Sequence, residues 1–430
     1  MLFNEQYQLL HEENKQLRET VDEDGFPCED VNALTAWLTQ SLQSVLSNTR
    51  YDLKAINFAA YGASFVHLDE HHKPITALYN YLKPYPADLK VQFYNKYGGE
   101  ALLARQTASP ILGSLNSGLQ LYRLKYEKPE IFGKIKYSLH LPQYLSFLVS
   151  KKLTTDISSV GCHTHLWDFE RNEYHAWVLK ENMLNKFAAI HRCDEPVGTY
   201  TASDPVSRNI QLPVGTGLHD SSAALIPYIA SFHEPFVLIS TGTWCISLNP
   251  FNHLPLTDEE LAQDCLCYLS YQGKPVKASR LFAGYEHEQH ARRMADHFHT
   301  APDHYENVKL DIGMLDDLRA ARHQYSLQNL SSFSTYEQAY HAFMLELTDR
   351  QIRSTTLVIN GTDVKRIFVD GGFSKNKIFM HLLADAFPGI EVYAASVPQS
   401  TALGAALSIH RHWNKNDIRK DLIALEKCRI

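Results

Sequence analysis

Two short apolar runs end in glycine turns about 130 residues apart, Ser240-Thr241-Gly242-Thr243 and Asp370-Gly371-Gly372-Phe373. A third turn, Gly217-Leu218-His219-Asp220, lies about twenty residues before the first. A strand that stops at glycine presents bare main chain at its tip, where a ligand can approach without meeting a side chain. Three such turns, two of them leading into helix-like sequence, point to an α/β chain whose strand ends carry the function.

The first run, Phe236 to Ser240, is apolar and of strand length, and Trp244 to Leu248 alternates in character, so the unit reads as a tight β-hairpin. Its tip offers backbone N–H groups and the hydroxyls of Thr241 and Thr243. Phosphate oxygens need such converging donors; a plain structural hairpin uses the same sequence pattern. The second run, Ile367-Phe368-Val369, passes through Asp370 to Asn376 into a helix whose apolar positions Ile378, Phe379, Leu382, Leu383, Ala386 and Phe387 follow helical spacing. Paired glycines there accept a flat ring or a phosphate, and the helix N-terminus favours negative charge; the same glycines equally serve packing. After a further strand, Ile390 to Ala394, comes Ser400-Thr401-Ala402-Leu403-Gly404-Ala405-Ala406, a helix start so rich in small residues that another helix or a nucleotide packs closely on it.

Asp220 precedes Ser221-Ser222-Ala223-Ala224-Leu225-Ile226, which has the composition of a helix. It suits an N-cap, accepting from the amides two and three residues on. It also suits a general base that takes the proton of a hydroxyl while a phosphoryl group is transferred to it.

In this order and spacing, Gly217 to Leu225, Ser240 to Leu248 and Phe368 to Leu407 resemble the FGGY family of carbohydrate kinases, within the superfamily of actin and hexokinase. The Ser-Thr-Gly-Thr-Trp hairpin and the Leu-His-Asp-Ser turn are most similar to the rhamnulokinase and fuculokinase branch. Leu141-Pro142-Gln143-Tyr144-Leu145 and Thr154-Thr155-Asp156 extend the likeness over nearly the whole chain. The resemblance implies a two-lobed, duplicated ribonuclease H-like α/β fold with a central cleft. Residues 1–227 would form the sugar-binding lobe, with an insertion over about 69–137, and residues 228–430 the nucleotide-binding lobe. It implies ATP and Mg²⁺ as cofactors and a sugar as substrate. Asp220 would be the catalytic base, with His219 beside it near the sugar. Thr241, Gly242 and Thr243 would receive the β- and γ-phosphates, while Gly371, Gly372, Phe373 and Asn376 would border adenine and ribose. Tyr61 and Gly62, ending the apolar Phe58-Ala59-Ala60-Tyr61-Gly62, would line the sugar pocket; Tyr61 equally suits a core aromatic with a satisfied hydroxyl.

The chain departs from the family pattern in three places. The Asp-x-Gly-x-Thr hairpin that opens the first lobe is absent: Met1 to Leu10 reads as the end of a strand, a turn and the next strand. Either coding begins upstream of Met1, or the product lacks a catalytic carboxylate and exposes a sheet edge. Its metal ligands therefore stay unassigned. Where many members carry Trp-x-Asp-x-Arg to hold the sugar, this chain has Leu78-Tyr79-Asn80-Tyr81-Leu82-Lys83. Gln399 stands where a Glu is common, and an amide still accepts a hydrogen bond.

Bulk properties agree with this reading. At 430 residues, the chain is too long for one ordinary core. A formal net charge of −7 argues against a nucleic-acid surface. Seven cysteines at irregular spacings suit cytoplasmic thiols, and the apolar runs fall short of membrane-spanning length. His163-Thr164-His165, His71-His72, His287 with His290 and His297 with His299 lack cysteines or carboxylates at zinc-site spacing and read as solvated or hydrogen-bonded. Cys28 and Cys245 read as buried thiols, and Lys277 and Arg280 as members of surface ion pairs, with a phosphate contact as the alternative. Asn249 to Tyr305 reads as loop-rich and then helical. The activity expected is transfer of the γ-phosphoryl group of ATP to a hydroxyl of a ketose, deoxyketose or polyol. A catalytically impaired relative that binds sugar or nucleotide as a sensor is the other reading. A homodimer is allowed for, without being required.

Overall fold

A computed structural model of the chain describes all residues except 204–208, 398, 420 and 429–430. Phe236–Thr241 and Cys245–Asn249 form the expected hairpin, antiparallel, with Thr241 opposite Cys245. On its other side, Phe236–Thr241 pairs in parallel with Arg366–Gly371, which sets Ser240 opposite Asp370 and Thr241 opposite Gly371. The two glycine turns therefore leave neighbouring strands at the same level.

This pair is the centre of a seven-stranded sheet running Cys265–Leu269, Pro275–Leu281, Cys245–Asn249, Phe236–Thr241, Arg366–Gly371, Glu391–Ser396, Ala424–Lys427. Side chains of a strand alternate between faces, and both faces here are covered. Val237 and Ile239 pack with Tyr340, Phe343 and Phe379 of the helices Tyr336–Ile359 and Lys377–Ala386. Phe236 and Leu238 pack with Leu225 and Tyr228 of the helix Asp220–Ser231 and with Leu403 and Leu407 of the helix Ser400–Ser408. Burying each such side chain stabilises the fold by about 1.5–3 kcal/mol.

The small residues of Ser400–Ser408 face the Asp220–Ser231 helix. A Cβ on Gly404 would lie 1.8 Å from the Ala223 carbonyl oxygen. Another helix therefore occupies that surface. The boundary expected at 227/228 falls inside the Asp220–Ser231 helix, which carries Pro227 and packs against a helix of the second half.

Asn249 to Tyr305 departs from its sequence reading. It holds two strands, Cys265–Leu269 and Pro275–Leu281, that widen the sheet before the helix Ala283–Phe298 begins. Every residue of Cys265–Leu269 is buried, and the reversal closes at Gly273, whose φ of +73° is a glycine conformation.

In the first half the described strands pair two by two. Leu2–Phe3 and Leu9–His11 form the strand, turn and strand expected at the start. Phe65–Leu68 pairs with Tyr137–His140, so the residues between them make one excursion, with helices at Ala87–Lys96, Glu100–Gln106, Ser117–Glu127 and Pro129–Lys134. Its core is aromatic: Phe93 meets Tyr122 and Trp177 edge-on at 4.8 and 5.1 Å. No helix among the described residues is long and apolar enough to cross a membrane.

Candidate active site

Asp220 stands one position past the N-cap: His219 is the cap residue and Asp220 the first helical residue. Its carboxylate accepts from the adjacent Ser221 amide at 2.6 Å rather than from the amides two and three residues on. The capping role is thus excluded. The side chain is 42% exposed, with His219 Nε2 3.3 Å from Oδ1. A carboxylate in that setting can accept a proton from a hydroxyl brought against it.

The turn before it is held from behind by the segments that extended the family likeness. Gln143 Nε2 donates to the Gly217 carbonyl at 3.0 Å and to Asp156 Oδ1 at 3.1 Å. Asp156 is buried, caps Ile157–Val160 through the Ser158 and Ser159 amides, and accepts from the Ser158 hydroxyl at 2.6 Å. The Ser158 oxygen in turn accepts from the His219 amide at 3.1 Å. These contacts fix the position of the His219-Asp220 peptide.

Tyr61 and Gly62 follow a strand, Ala59–Ala60, that pairs in parallel with Leu218–His219. Gly62 lies against the histidine: a Cβ there would sit 3.0 Å from His219 Cδ2 and 3.2 Å from Cys162 Sγ. The Tyr61 hydroxyl donates to Glu29 Oε2 at 3.0 Å, and its ring centre lies 5.6 Å from that of Tyr81. Burial raises the Tyr81 phenol, and the nearby Asp220 charge raises it further.

Sequence reasoning missed three residues here and assigned His163 only a solvated or hydrogen-bonded role. Tyr81 lies in the segment that replaces Trp-x-Asp-x-Arg, the one signal that could have found it. Cys162 and Tyr268 carried none, because only the fold brings them to His219. The His219 and His163 rings meet Tyr268 edge-on at 5.4 and 6.1 Å. Burial, then His219 and Arg280, pushes His163 down to about 3, so its ring is neutral. Although His163 and its neighbours lack zinc-site spacing in the sequence, the fold brings Cys162, His163 and His219 together.

At the glycine turns the expected phosphate contacts sort into two groups. Thr241 Oγ1 donates to the Asp370 carbonyl at 2.5 Å and accepts from the Phe373 amide at 3.1 Å. This hydroxyl, expected to meet phosphate, instead fastens one turn to the other. The Gly242 amide closes its own hairpin onto the Trp244 carbonyl at 2.9 Å. Gly371 has φ +89°, and a Cβ there would fall 1.9 Å from the Thr241 carbonyl oxygen, so only glycine lets the strands meet. Added Cβ atoms on Gly242 and Gly372 meet nothing within 4 Å, and Thr243 is exposed. Those three positions leave open space on one side of the main chain, although the Gly242 amide and the Thr243 carbonyl are engaged within the turn.

Phe373 is buried, its ring against Phe379 at 4.9 Å and His287 at 5.3 Å. Asn376 caps the helix Lys377–Ala386 by accepting from the Phe379 amide at 3.0 Å, and its Nδ2 donates to the Tyr340 hydroxyl at 2.8 Å. Both ends of that side chain are engaged. Lys277 and Arg280 pair with Glu260 and Asp264 at 2.7 and 2.6 Å, but both cations are buried, not surface residues. Arg280 lies over the Trp244 ring at 5.1 Å, and its buried Nε has no hydrogen-bond partner.

Known proteins were compared with this chain. Residues 1–227 match the N-terminal domain of the FGGY family of carbohydrate kinases, and residues 233–417 match the family's C-terminal domain. A rhamnulokinase from Halalkalibacterium halodurans is 25% identical over 236 residues, covering 53% of this chain and 48% of that protein, so this match spans about half the relative's length. A rhamnulokinase from Oceanobacillus iheyensis is 22% identical over 89% of this chain and 84% of its own length. In fold, the chain resembles the crystal structure of a carbohydrate kinase from Novosphingobium aromaticivorans, with a TM-score of 0.76, 22% identity and coverage of 99% of this chain and 93% of the other. The two-lobed actin-like α/β fold, the glycine turns and the Asp220 turn lie within these matches, and the chain belongs to the FGGY family of carbohydrate kinases, phosphotransferases with an alcohol group as acceptor.

Proposed function

We propose that the protein transfers the γ-phosphoryl group of ATP to a hydroxyl of a ketose, a deoxyketose of the rhamnulose or fuculose type, or a polyol. The observation that carries this reading is the Asp220 carboxylate, released from capping and open to solvent beside His219 and Gly62. A sugar hydroxyl resting on it loses its proton to Asp220 as its oxygen attacks the γ-phosphorus. The bond from that phosphorus to the β-phosphate oxygen breaks, and ADP leaves. Positioning and electrostatics supply most of the acceleration in such transfers.

The open side of the main chain at Gly242, Thr243 and Gly372 suits the nucleotide's phosphates, and Gly371 together with the Phe373 and Asn376 backbone supports the adenosine side. Tyr61, Gly62 and His219 form the acceptor side. Mg²⁺ neutralises phosphate charge when bound; it prefers oxygen ligands, so the thiol and imidazoles near Asp220 do not suit it. The buried thiols of Cys28, Cys162, Cys193, Cys245, Cys265 and Cys267 fit a reducing cytoplasm.

The test is coupled ADP release with ATP and Mg²⁺ against a panel of ketoses, deoxyketoses and polyols, on the wild type and on Asp220→Asn. Sugar-dependent turnover is expected, lowered on the order of 10²–10⁴-fold in the variant, with ATP affinity unchanged. Equal turnover in both proteins would refute the base assignment.

A further inference from the structure

Beside Asp220 lies a set of donors of which the phosphoryl-transfer reading uses only His219. Cys162 and His163 follow the short helix Ile157–Val160, and His219 reaches them from the end of its strand. One ligand atom from each lies within 4.8 Å of the others, and all three residues are buried. We propose that Cys162 Sγ, His163 and His219 bind one soft divalent cation of the zinc type, with a water molecule in the fourth position.

Zinc sits about 2.3 Å from sulfur and about 2.1 Å from nitrogen, so donors already this close share an ion after small side-chain rotations. The surroundings match such a site. His163 Nδ1 faces the Leu115 carbonyl oxygen at 3.0 Å, which keeps the proton on that nitrogen and leaves Nε2 as the lone-pair donor. Ligating histidines commonly have their other nitrogen held in this way. His219 Nε2 has a carboxylate 3.3 Å away, in Asp220. The Cys162 thiol now donates to the Ser159 carbonyl at 3.1 Å; binding replaces that proton with the metal–sulfur bond and releases it to solvent. Thiolate with imidazole selects soft ions over Mg²⁺, so this site is chemically separate from any ion carried in by a nucleotide. An ion there occupies the acceptor side of Asp220 and would exclude the sugar; that consequence alone rests on the kinase reading.

The test reads metal binding, not activity. The reduced, chelator-stripped full chain is titrated with Co²⁺. The expected result is one equivalent bound, with the visible bands of a four-coordinate ion and a near-ultraviolet thiolate-to-cobalt band, all displaced by Zn²⁺. Cys162→Ser removes the thiolate band, and His163→Gln, which removes a ligand, weakens binding by more than the about 10–100-fold that loss of an outer-shell partner costs. Absence of a thiolate band in the wild type, or a band and affinity unchanged in the variants, would overturn the site. If Cys162→Ser does not fold, His163→Gln decides by itself, since unchanged affinity there is incompatible with the proposal.

Discussion

The Thr241 hydroxyl donates to the Asp370 carbonyl, 129 residues away in sequence, at 2.5 Å, and accepts from the Phe373 amide at 3.1 Å. One buried side chain thus joins the two glycine turns into a single unit. Thr241→Val keeps the shape but leaves a carbonyl and an amide unsatisfied, for a loss of about 1–3 kcal/mol. Thr241→Ser should restore most of it. Urea unfolding of the three proteins measures this, and the Michaelis constant for ATP should rise in the valine variant alone.

The neighbouring glycines should respond oppositely to an added side chain. Gly371 has a positive φ and a carbonyl oxygen 1.9 Å from any added Cβ, so Gly371→Ala should destabilise by more than about 1 kcal/mol. Gly372 faces open space, so Gly372→Leu should leave the thermal midpoint nearly unchanged while weakening nucleotide binding. Thermal unfolding with and without ADP separates the two effects.

Glu181 anchors the helical excursion of the first half. Burial alone would raise its carboxyl, but the ammonium groups of Lys125 and Lys96 with the hydroxyls of Tyr97 and Tyr126 outweigh it and hold the group at about 2. A depressed folded value stabilises above the unfolded value and is lost as pH falls toward the folded one. Glu181→Gln should therefore lower the midpoint clearly at pH 7 and much less near pH 2, as read from thermal melts across that range.

Asp370 shows the opposite sign. Burial raises its carboxyl above the ordinary 3.8, against the lowering effect of the Gly371 amide and the Tyr228 and Ser400 hydroxyls. The folded state then binds the proton more tightly than the unfolded chain, so stability declines as pH rises through that range. Asp370→Asn should flatten this decline and raise stability at neutral pH relative to the wild type; melts from pH 3.5 to 7 would reveal it.

Strand ends, glycine turns and the helix after Asn376 were legible in the chain, since apolar run length, glycine placement and helical spacing are local properties. The Asp220 turn was legible too, but two roles fitted it, and local sequence favoured the N-cap. Only its place in the helix, one residue past the cap, removed one of them. The strands Cys265–Leu269 and Pro275–Leu281 escaped notice because a run that is buried on both faces carries no alternation to distinguish it.

By itself, the sequence determined the hairpin at Thr241 to Thr243, the strand that ends at Gly371 and the helices after Asp220 and Asn376, and it marked three turns as candidates for ligand contact. The tertiary structure alone decided how individual polar atoms are used: Thr241 as a fastener, Asn376 as a cap, Cys162 and His163 beside His219. The reason is physical. A backbone conformation follows from neighbours a few residues away, whereas the partner of a buried hydroxyl, thiol or imidazole is whatever distant atom the packed fold brings within about 3 Å.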